Sequence, residues 1–247
     1  MVKYQYFYQY IIKGYMKICC FYERILKMKK LNEEKIRLAL LGRLPIGVKV
    51  AIITPIESIF DKFCYLLSSG EVNEKCFFKN AYFQTIKGTN GIIVHIPQGR
   101  CAQDVMYAFD GIQVLFLGYA GSLYSTILVG TVLEVEMAIE SEKNQYELNM
   151  ISDLKRVKGG YSPCMLGDVA YQYRKLAQDE GCHIVEMEIV ECAKAAGKNQ
   201  NLFSAFVVIS DIPGIADFWN LTDDERILFN QGKSKLIRYI VNYVEKM

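Results

Sequence analysis

The sequence is poor in histidine and has no paired-cysteine motif. Its 247 residues include two histidines, His95 and His183, and eight cysteines, none of them spaced as Cys-x-x-Cys. A structural zinc site needs four soft ligands in close pairs, so we expect no metal site. The cysteines are expected to be reduced and to serve as small buried apolar side chains, which favours a cytoplasmic location.

The chain also lacks a strong charge of one sign and any long apolar run. It has 29 Lys and Arg against 27 Asp and Glu, and 51% of its residues are hydrophobic. This balance is not that of a disordered chain or of a nucleic-acid-binding tail, so we expect no nucleic-acid partner. No apolar run reaches the ~18–20 residues that span a bilayer, and we therefore expect no transmembrane segment.

Several catalytic motifs are missing as well. There is no P-loop, no Gly-x-Ser-x-Gly and no His-Glu-x-x-His. The turn that contains Gly118 and Gly121 lacks the third glycine of a dinucleotide-binding turn. The sequence therefore argues against nucleoside-triphosphate, nicotinamide and metal chemistry, and we expect no cofactor.

The first thirty residues differ from the rest in charge. They carry seven basic side chains against one acid, Glu23, and are rich in aromatic residues. A basic aromatic segment can lie on an anionic membrane surface or bind a partner. The other interpretations are an accessory helix packed on the domain and an upstream extension. We divide the chain into a basic, aromatic helical extension over residues 1–45 and one α/β domain over residues 46–247.

Strand and helix patterns alternate from residue 31 onwards. Short β-branched runs predict buried strands, and apolar residues at i, i+3 and i+4 predict helices. The predicted strands cover residues 48–54, 91–96, 112–117, 129–139, 163–166, 183–187 and 203–210. The predicted helices cover residues 31–43, 55–69, a segment after Gly99, 168–179, 188–196 and a last segment that begins at the capping box Thr222-x-x-Glu225. This alternation favours a three-layer α/β/α domain around a central mixed, largely parallel sheet.

Three short segments, residues 117–123, 185–188 and 207–211, lie at strand ends, where open α/β sheets bind ligands. Asp211 follows an apolar strand, so partial desolvation should raise its pKa and let it hold a proton. Glu188 begins a helix whose dipole should keep it ionised, as an acceptor for sugar hydroxyls. Gly118 and Gly121 would let a ligand approach the backbone closely.

In this order and spacing, the three segments resemble those of the nucleoside phosphorylase superfamily, most closely the methylthioadenosine/S-adenosylhomocysteine nucleosidases. The resemblance runs over residues 49–211. It implies a nucleoside phosphorylase-like fold and a homodimer or higher homo-oligomer. The substrate-binding residues that it implies are Gly118, Ala120, Gly121, Met187, Glu188 and Ser210.

The resemblance also assigns roles to the acids. Met187 and Glu188 would hold the ribose, and Asp211 would protonate the departing purine. The implied activity is cleavage of the N-glycosidic bond of a 5'-methylthioadenosine- or adenosine-like nucleoside.

The sequence departs from the family on the side of the attacking water. The catalytic Glu of the nucleosidases aligns with Ile59, and the nearest acid, Glu57, is the candidate catalytic base. Ser58 and Phe116 stand where the phosphorylases have phosphate-binding arginines, so hydrolysis is favoured over phosphorolysis. The alternative is a catalytically silent family member that binds a nucleoside or a protein partner.

The base-binding side departs too. The stacking Phe of the nucleosidases aligns with Ala170, and Tyr171 or Tyr173 are the aromatic candidates to replace it. The sequence therefore predicts that the ribose and leaving-group contacts are kept, whereas those of the nucleophile are changed.

Overall fold

The fold comes from a computed structural model that describes residues 33–42, 45–69, 83–87 and 91–246. The basic, aromatic segment 1–30 lies outside the described residues, so the extension over residues 1–45 stays a prediction. Among the described helices, none is long and apolar enough to cross a membrane.

The described chain alternates strands and helices. The strands are β1 (Val50–Thr54), β2 (Gln84–Lys87), β3 (Gly91–His95), β4 (Gln113–Ser122), β5 (Val132–Ser141), β6 (Asn144–Glu147), β7 (Arg156–Tyr161), β8 (Ile184–Glu186) and β9 (Leu202–Asp211). The helices are α1 (Glu33–Leu41), α2 (Glu57–Ser69), α3 (Gly167–Asp179), α4 (Ile189–Lys198) and α5 (Asp223–Glu245), with 3₁₀ helices at Gly99–Ala108 and Phe218–Asn220. The short strands β2, β6 and β7 lack a clear apolar pattern and were not predicted. The strand predicted over residues 163–166 is wrong, because these residues form the irregular connection between β7 and α3.

One mixed sheet contains all nine strands of the described chain. Its order is β2-β3-β1-β4-β8-β7-β5-β6, and β9 pairs with both β4 and β5. β1 is parallel to β3 and β4, and the pairs β4–β9, β5–β7 and β7–β8 are also parallel. Because β8 pairs with β4 and β5 pairs with β9, the strands β4, β9, β5, β7 and β8 form a closed ring.

Helices cover both faces of the sheet. Along β1, Ala51 and Ile53 pack in one apolar cluster with the first 3₁₀ helix and α4. Val50 and Ile52 pack in a second cluster with α2 and α5. This alternation with a period of two is typical of a strand buried on both faces. The expected three-layer α/β/α fold with a mixed sheet is confirmed.

Helix α5 begins at the predicted capping box and approaches the sheet closely in its middle. The Thr222 side chain accepts the N–H of Glu225, whose carboxylate accepts the N–H of Thr222 at 2.7 Å. Further along, the buried Gly232 lies against Gly130, in the loop between β4 and β5. A Cβ atom at position 232 would overlap the carbonyl group of Gly130. The packing of α5 therefore depends on glycine at this position.

We expect Gly232→Ala to destabilise the fold by up to about 2 kcal/mol. Overpacking against backbone typically costs ~1–3 kcal/mol, and the better helix propensity of alanine offsets about 1 kcal/mol of that. Urea unfolding measures the difference. Gly197→Ala in α4 is the matched control, because a Cβ atom there would meet nothing within 4 Å in the described structure. A Gly232→Ala variant as stable as the control would contradict the packing argument.

Candidate active site

A cavity of about 240 Å³ opens where β4, β8 and β9 end. Most of the site residues indicated by the sequence meet there, although Ala120 and Asp211 are 91 positions apart in the chain. Those that line it are Ala120, Gly121, Met187, Glu188, Ser210 and Asp211.

An irregularity in the pairing of β4 and β9 shapes this end of the sheet. The two strands stay in parallel register as far as Ala120 and Ile209, and then Gly121 pairs with Asp211. Ser210 is therefore one extra residue on β9, which makes a β-bulge. Bulges redirect the side chains that follow them, and here Asp211 lies directly after the bulge.

Asp211 is largely buried at the cavity wall. The Ser210 hydroxyl donates a hydrogen bond to its Oδ1 atom. Burial raises the pKa of the Asp211 carboxyl, and the hydrogen bond from Ser210 and the charge of Arg174 only partly counteract this effect. A Cβ atom at Gly121 would lie 3.4 Å from the Oδ2 atom of Asp211, so the glycine leaves this second oxygen uncovered. The predicted rise in the pKa of Asp211 is confirmed.

Glu188 lines the cavity just before α4. Its Oε1 atom accepts the N–H of Gly99 at 2.6 Å, which ties the start of the first 3₁₀ helix to this wall. Burial raises the pKa of Glu188, although hydrogen bonds from the backbone of Gly99 and Met187 act in the opposite direction. Burial outweighs the contacts with the backbone, so the pKa of Glu188 lies above its ordinary value; the ionised state of Glu188 stays a prediction.

Glu186 also lines the cavity, although no sequence pattern indicated it as a site residue. It is 4% exposed, and its Oε2 atom caps α4 by accepting the N–H groups of Glu188 and Ile189, each at 2.6 Å. Its Oε1 atom is buried without a hydrogen-bond partner in the described part of the chain. Burial and the charge of Glu188 raise the pKa of Glu186 to about 8. A carboxyl group that keeps its proton near neutral pH can donate a hydrogen bond to a ligand.

We expect the thermal stability of the protein to fall as pH rises, and Glu186→Gln to weaken that dependence. The pKa of Glu186 is about 8 in the folded state against 4.5 ordinarily, so the folded state binds an extra proton between these values. Its stabilising contribution is complete below pH 4.5 and is lost as pH rises towards 8. Glutamine can still cap α4 and does not titrate. Melting temperatures from pH 5 to 9 test this, and identical slopes for both proteins would contradict it.

Aromatic side chains reach the cavity from an element that the sequence did not indicate. Ala170 lines the cavity, but Tyr171 is exposed and Tyr173 packs edge-on against another tyrosine, and neither contributes to the lining. Phe218 and Trp219 of the second 3₁₀ helix line the cavity instead. Trp219 is 58% exposed, so its indole ring is free to stack on a flat ligand.

At the end of β1, the described lining consists of apolar side chains and holds no acid. Ile56 lines the cavity, but its neighbour Glu57 is exposed at the first turn of α2 and does not. Ile59 is fully buried in the apolar cluster beneath α2. The structure therefore does not bring the candidate base Glu57 to the cavity. Tyr119 also lines the cavity, and its hydroxyl oxygen lies 3.5 Å from Ser58 Oγ.

Gly118 is not brought to the cavity either. It lies earlier on β4, and a Cβ atom there would overlap the ring of Phe116, which is fully buried. This glycine makes room for Phe116 in the core. The expectation that Gly118 contacts the substrate is corrected accordingly.

The structure adds two charged residues to the lining, Arg174 and Asp217. Arg174 lies one turn after Ala170 on α3, so the i, i+4 spacing of a predicted helix was the signal that could have indicated it. Asp217 lies in the turn after β9, where its Oδ1 atom accepts the N–H of Gly214 at 2.9 Å. No periodic pattern in the sequence places that turn over the cavity.

No family model and no curated protein matches the sequence. Solved structures, however, match its fold closely. The nucleosidase for 5'-methylthioadenosine and S-adenosyl homocysteine from Campylobacter jejuni has a TM-score of 0.63 at 14% identity, covering 81% of this chain and 100% of that chain. Futalosine hydrolase of Helicobacter pylori has a TM-score of 0.61 at 15% identity, over 82% and 100%. AMP nucleosidase from Bacteroides thetaiotaomicron has a TM-score of 0.59 at 13% identity, over 85% and 100%.

These structures are all members of the nucleoside phosphorylase superfamily. The chain therefore has the nucleoside phosphorylase-like fold that the resemblance implies.

Proposed function

We propose that the protein is a purine nucleoside N-ribosyl hydrolase. The observation that carries this proposal is the convergence of Asp211 and Glu188 on one cavity, each on a different wall and each largely buried. The structures with the same fold are nucleosidases and a hydrolase by name, which supports the same class of reaction. The resemblance implies an adenosine-like nucleoside, such as 5'-methylthioadenosine.

In this proposal Asp211 is the general acid that protonates the departing purine. Burial raises the pKa of Asp211, which favours the protonated form. The carboxyl delivers its proton to a ring nitrogen of the purine while the bond between the sugar and the base breaks. The electron pair of that bond goes to the base, and C1' of the sugar becomes cationic. The oxygen of a water molecule then bonds to C1', and the water gives one proton to a base, for which Glu57 is the predicted group. The products are the free purine and the free sugar.

The ribose lies against Met187 and Glu188. A carboxylate is an acceptor for two hydroxyl groups of a sugar, and the hydrogen bond from Gly99 fixes the orientation of Glu188. Ala120, Gly121 and Ser210 form the neighbouring wall. Hydrolysis is preferred to phosphorolysis because Phe116, at one of the aligned phosphate-binding positions, is buried in the core.

A second candidate function follows from the position of Ile59. Its burial leaves the end of β1 without a base in the described lining, which favours a silent member that binds a nucleoside but does not cleave it. Glu57 remains the predicted base for the hydrolase, and it would have to reach the cavity past Ile56. Assembly as a homodimer and a cytoplasmic location remain expectations.

Chromatography of the free base released from a panel of purine nucleosides tests the proposal. We expect release without phosphate, and no increase when phosphate is added. Calorimetry on the same panel separates the two candidates, because a silent member binds a nucleoside and releases nothing. A chain that neither binds nor cleaves any purine nucleoside would refute both.

A further inference from the structure

Glu186 and Glu188 form a pair of buried acids at the junction of β8 and α4, and both line the cavity. Neither carboxyl group takes part in a salt bridge within the described part of the chain. The charge of one acts on the other, and burial removes the water that would screen this repulsion. The pair is therefore expected to hold one proton and one negative charge near neutral pH.

On α4 itself, the other titratable groups near the pair do not compensate a second charge. The Oε1 atom of Glu191 lies 3.6 Å from Lys194 Nζ and 3.6 Å from Arg100 Nε, so this acid has its own cations. The thiol of Cys192, one turn after Glu188, is fully buried, and burial raises its pKa well above the ordinary value. Cys192 is therefore neutral, and Glu191 is already paired.

The other elements around Glu186 bring it no cation either, as far as the chain is described. Tyr161 of β7 is its neighbour in the sheet, and the hydroxyl of this tyrosine accepts the Nε–H of Arg100 at 2.9 Å. The other charged residues of the cavity lining are Arg174, Asp211 and Asp217. Among all these groups, Glu188 is the one whose charge raises the pKa of Glu186.

The hydrogen bonds of the two acids differ, and the difference indicates where the proton lies. Glu186 accepts the N–H groups of Glu188 and Ile189 with Oε2, whereas its Oε1 atom is buried without a partner in the described chain. Glu188 accepts the N–H of Gly99 with Oε1. Negative charge on a buried oxygen that has no donor is costly, and a proton on Glu186 Oε1 removes it without disturbing the contacts of Oε2.

We infer that Glu186 is a positioning residue for Glu188: its Oε2 atom fixes the backbone of Glu188, and its Oε1 atom holds the proton of the pair, so that Glu188 carries the charge. The inference rests on the proposed function, because it takes Glu188 as the group that binds the ribose. A hydroxyl group donates a stronger hydrogen bond to a carboxylate than to a neutral acid. The proton on Glu186 thus sets how strongly the sugar is bound.

Carbon NMR of the glutamate carboxyl carbons, assigned on the full chain without nucleoside, measures the two protonation states directly. Near neutral pH, we expect the Glu186 carbon to have the chemical shift of a protonated carboxyl group and the Glu188 carbon that of a carboxylate. The Glu186 carbon should titrate close to its pKa of about 8. The reverse assignment, or the same state for both carbons near neutral pH, would overturn the inference.

Calorimetry with adenosine and 5'-methylthioadenosine tests the positioning role. Glu186→Met keeps the length of the side chain but cannot accept the two N–H groups, and we expect about tenfold weaker binding. Glu186→Gln resembles the neutral acid, because its oxygen can accept the N–H groups and its NH₂ group takes the place of the protonated oxygen. It should restore affinity to within about threefold of wild type.

The control for a simple loss of stability is Gly232→Ala. Gly232 packs against Gly130 and does not line the cavity, so this variant should bind as the wild type does. If Glu186→Met fails to fold, Glu186→Gln and the carbon titration still decide. Tighter binding by Glu186→Gln than by the wild type would overturn the inference, because Glu188 would then have held the proton.

A double-mutant cycle distinguishes positioning from a general structural effect. Because Glu186 acts through Glu188, the loss caused by Glu186→Met should be largely absent in the Glu188→Gln background. Additive losses, or equal losses in Glu186→Met and Glu186→Gln, would overturn the inference and leave the proposed function standing. A chain that binds no purine nucleoside would refute the proposed function. The carbon titration needs no nucleoside, so it would then still support or overturn the assignment of the proton.

Discussion

Asp211→Asn is expected to lower the rate of base release by about 10²–10⁴-fold and to leave nucleoside affinity nearly unchanged. Asparagine has almost the same shape, and its amide can still accept the hydroxyl hydrogen of Ser210 and contact the purine. It cannot deliver a proton as the bond to the sugar breaks. Because the proton is needed in the transition state and not in the bound complex, the loss should fall on kcat rather than on affinity.

Turnover and calorimetric affinity, measured on wild type and variant, test this result. Asp217→Asn is the matched control, since Asp217 is an acid of the same cavity whose contact with Gly214 an asparagine can keep. We expect the control to lose little turnover. Equal, small effects of the two substitutions would contradict the assignment of Asp211 as the proton donor.

Glu188→Gln should weaken nucleoside binding by about 10–100-fold and lower turnover as well. Hydrogen bonds to a charged acceptor contribute roughly 1.5–3 kcal/mol, and those to the ribose exist already in the ground state. The glutamine oxygen can still accept the N–H of Gly99, so the wall of the cavity should keep its shape. The two acids thus have different kinetic signatures, one in kcat and the other mainly in affinity.

The same calorimetry and turnover measurements on Glu188→Gln decide this second prediction. 2'-Deoxynucleosides provide a further control, because a substrate that lacks one hydroxyl should lose less affinity on substitution of Glu188. An unchanged affinity for the full nucleoside would show that Glu188 does not hold the ribose.

The parts of the site that the sequence predicted correctly are those fixed by strand ends. When an apolar strand ends at an acid, as β9 does at Asp211, that acid lies at the edge of the sheet regardless of how the rest of the chain folds. The rise in the pKa of Asp211 followed from this position alone. The segment at residues 185–188 was found in the same way, but the sequence did not show which of its two glutamates is more deeply buried.

The parts that could not be predicted depend on contacts between distant residues. Gly118 and Gly121 look equivalent in the sequence, yet one accommodates a core phenylalanine and the other faces the cavity beside the bulge at Ser210. Whether a β-bulge forms depends on how two strands pair, and this is decided by the whole sheet. Trp219 lies in an irregular turn, where no apolar period indicates which way the chain folds back.

The closed ring of strands has a consequence for how the site opens to solvent. Gly121 is held by β9 on one side and by Val185 of β8 on the other, so no free strand edge at this point can peel away from the sheet. Amide hydrogens in this part of the ring should therefore exchange with deuterium mainly through unfolding of the whole domain, more slowly than those of the turn at residues 212–217. A ligand that fills the cavity binds only the folded state, so it should slow the exchange of all amide hydrogens in the ring by the same factor. A ligand that binds only to a loosely attached loop elsewhere would not slow the exchange of the whole ring in this way.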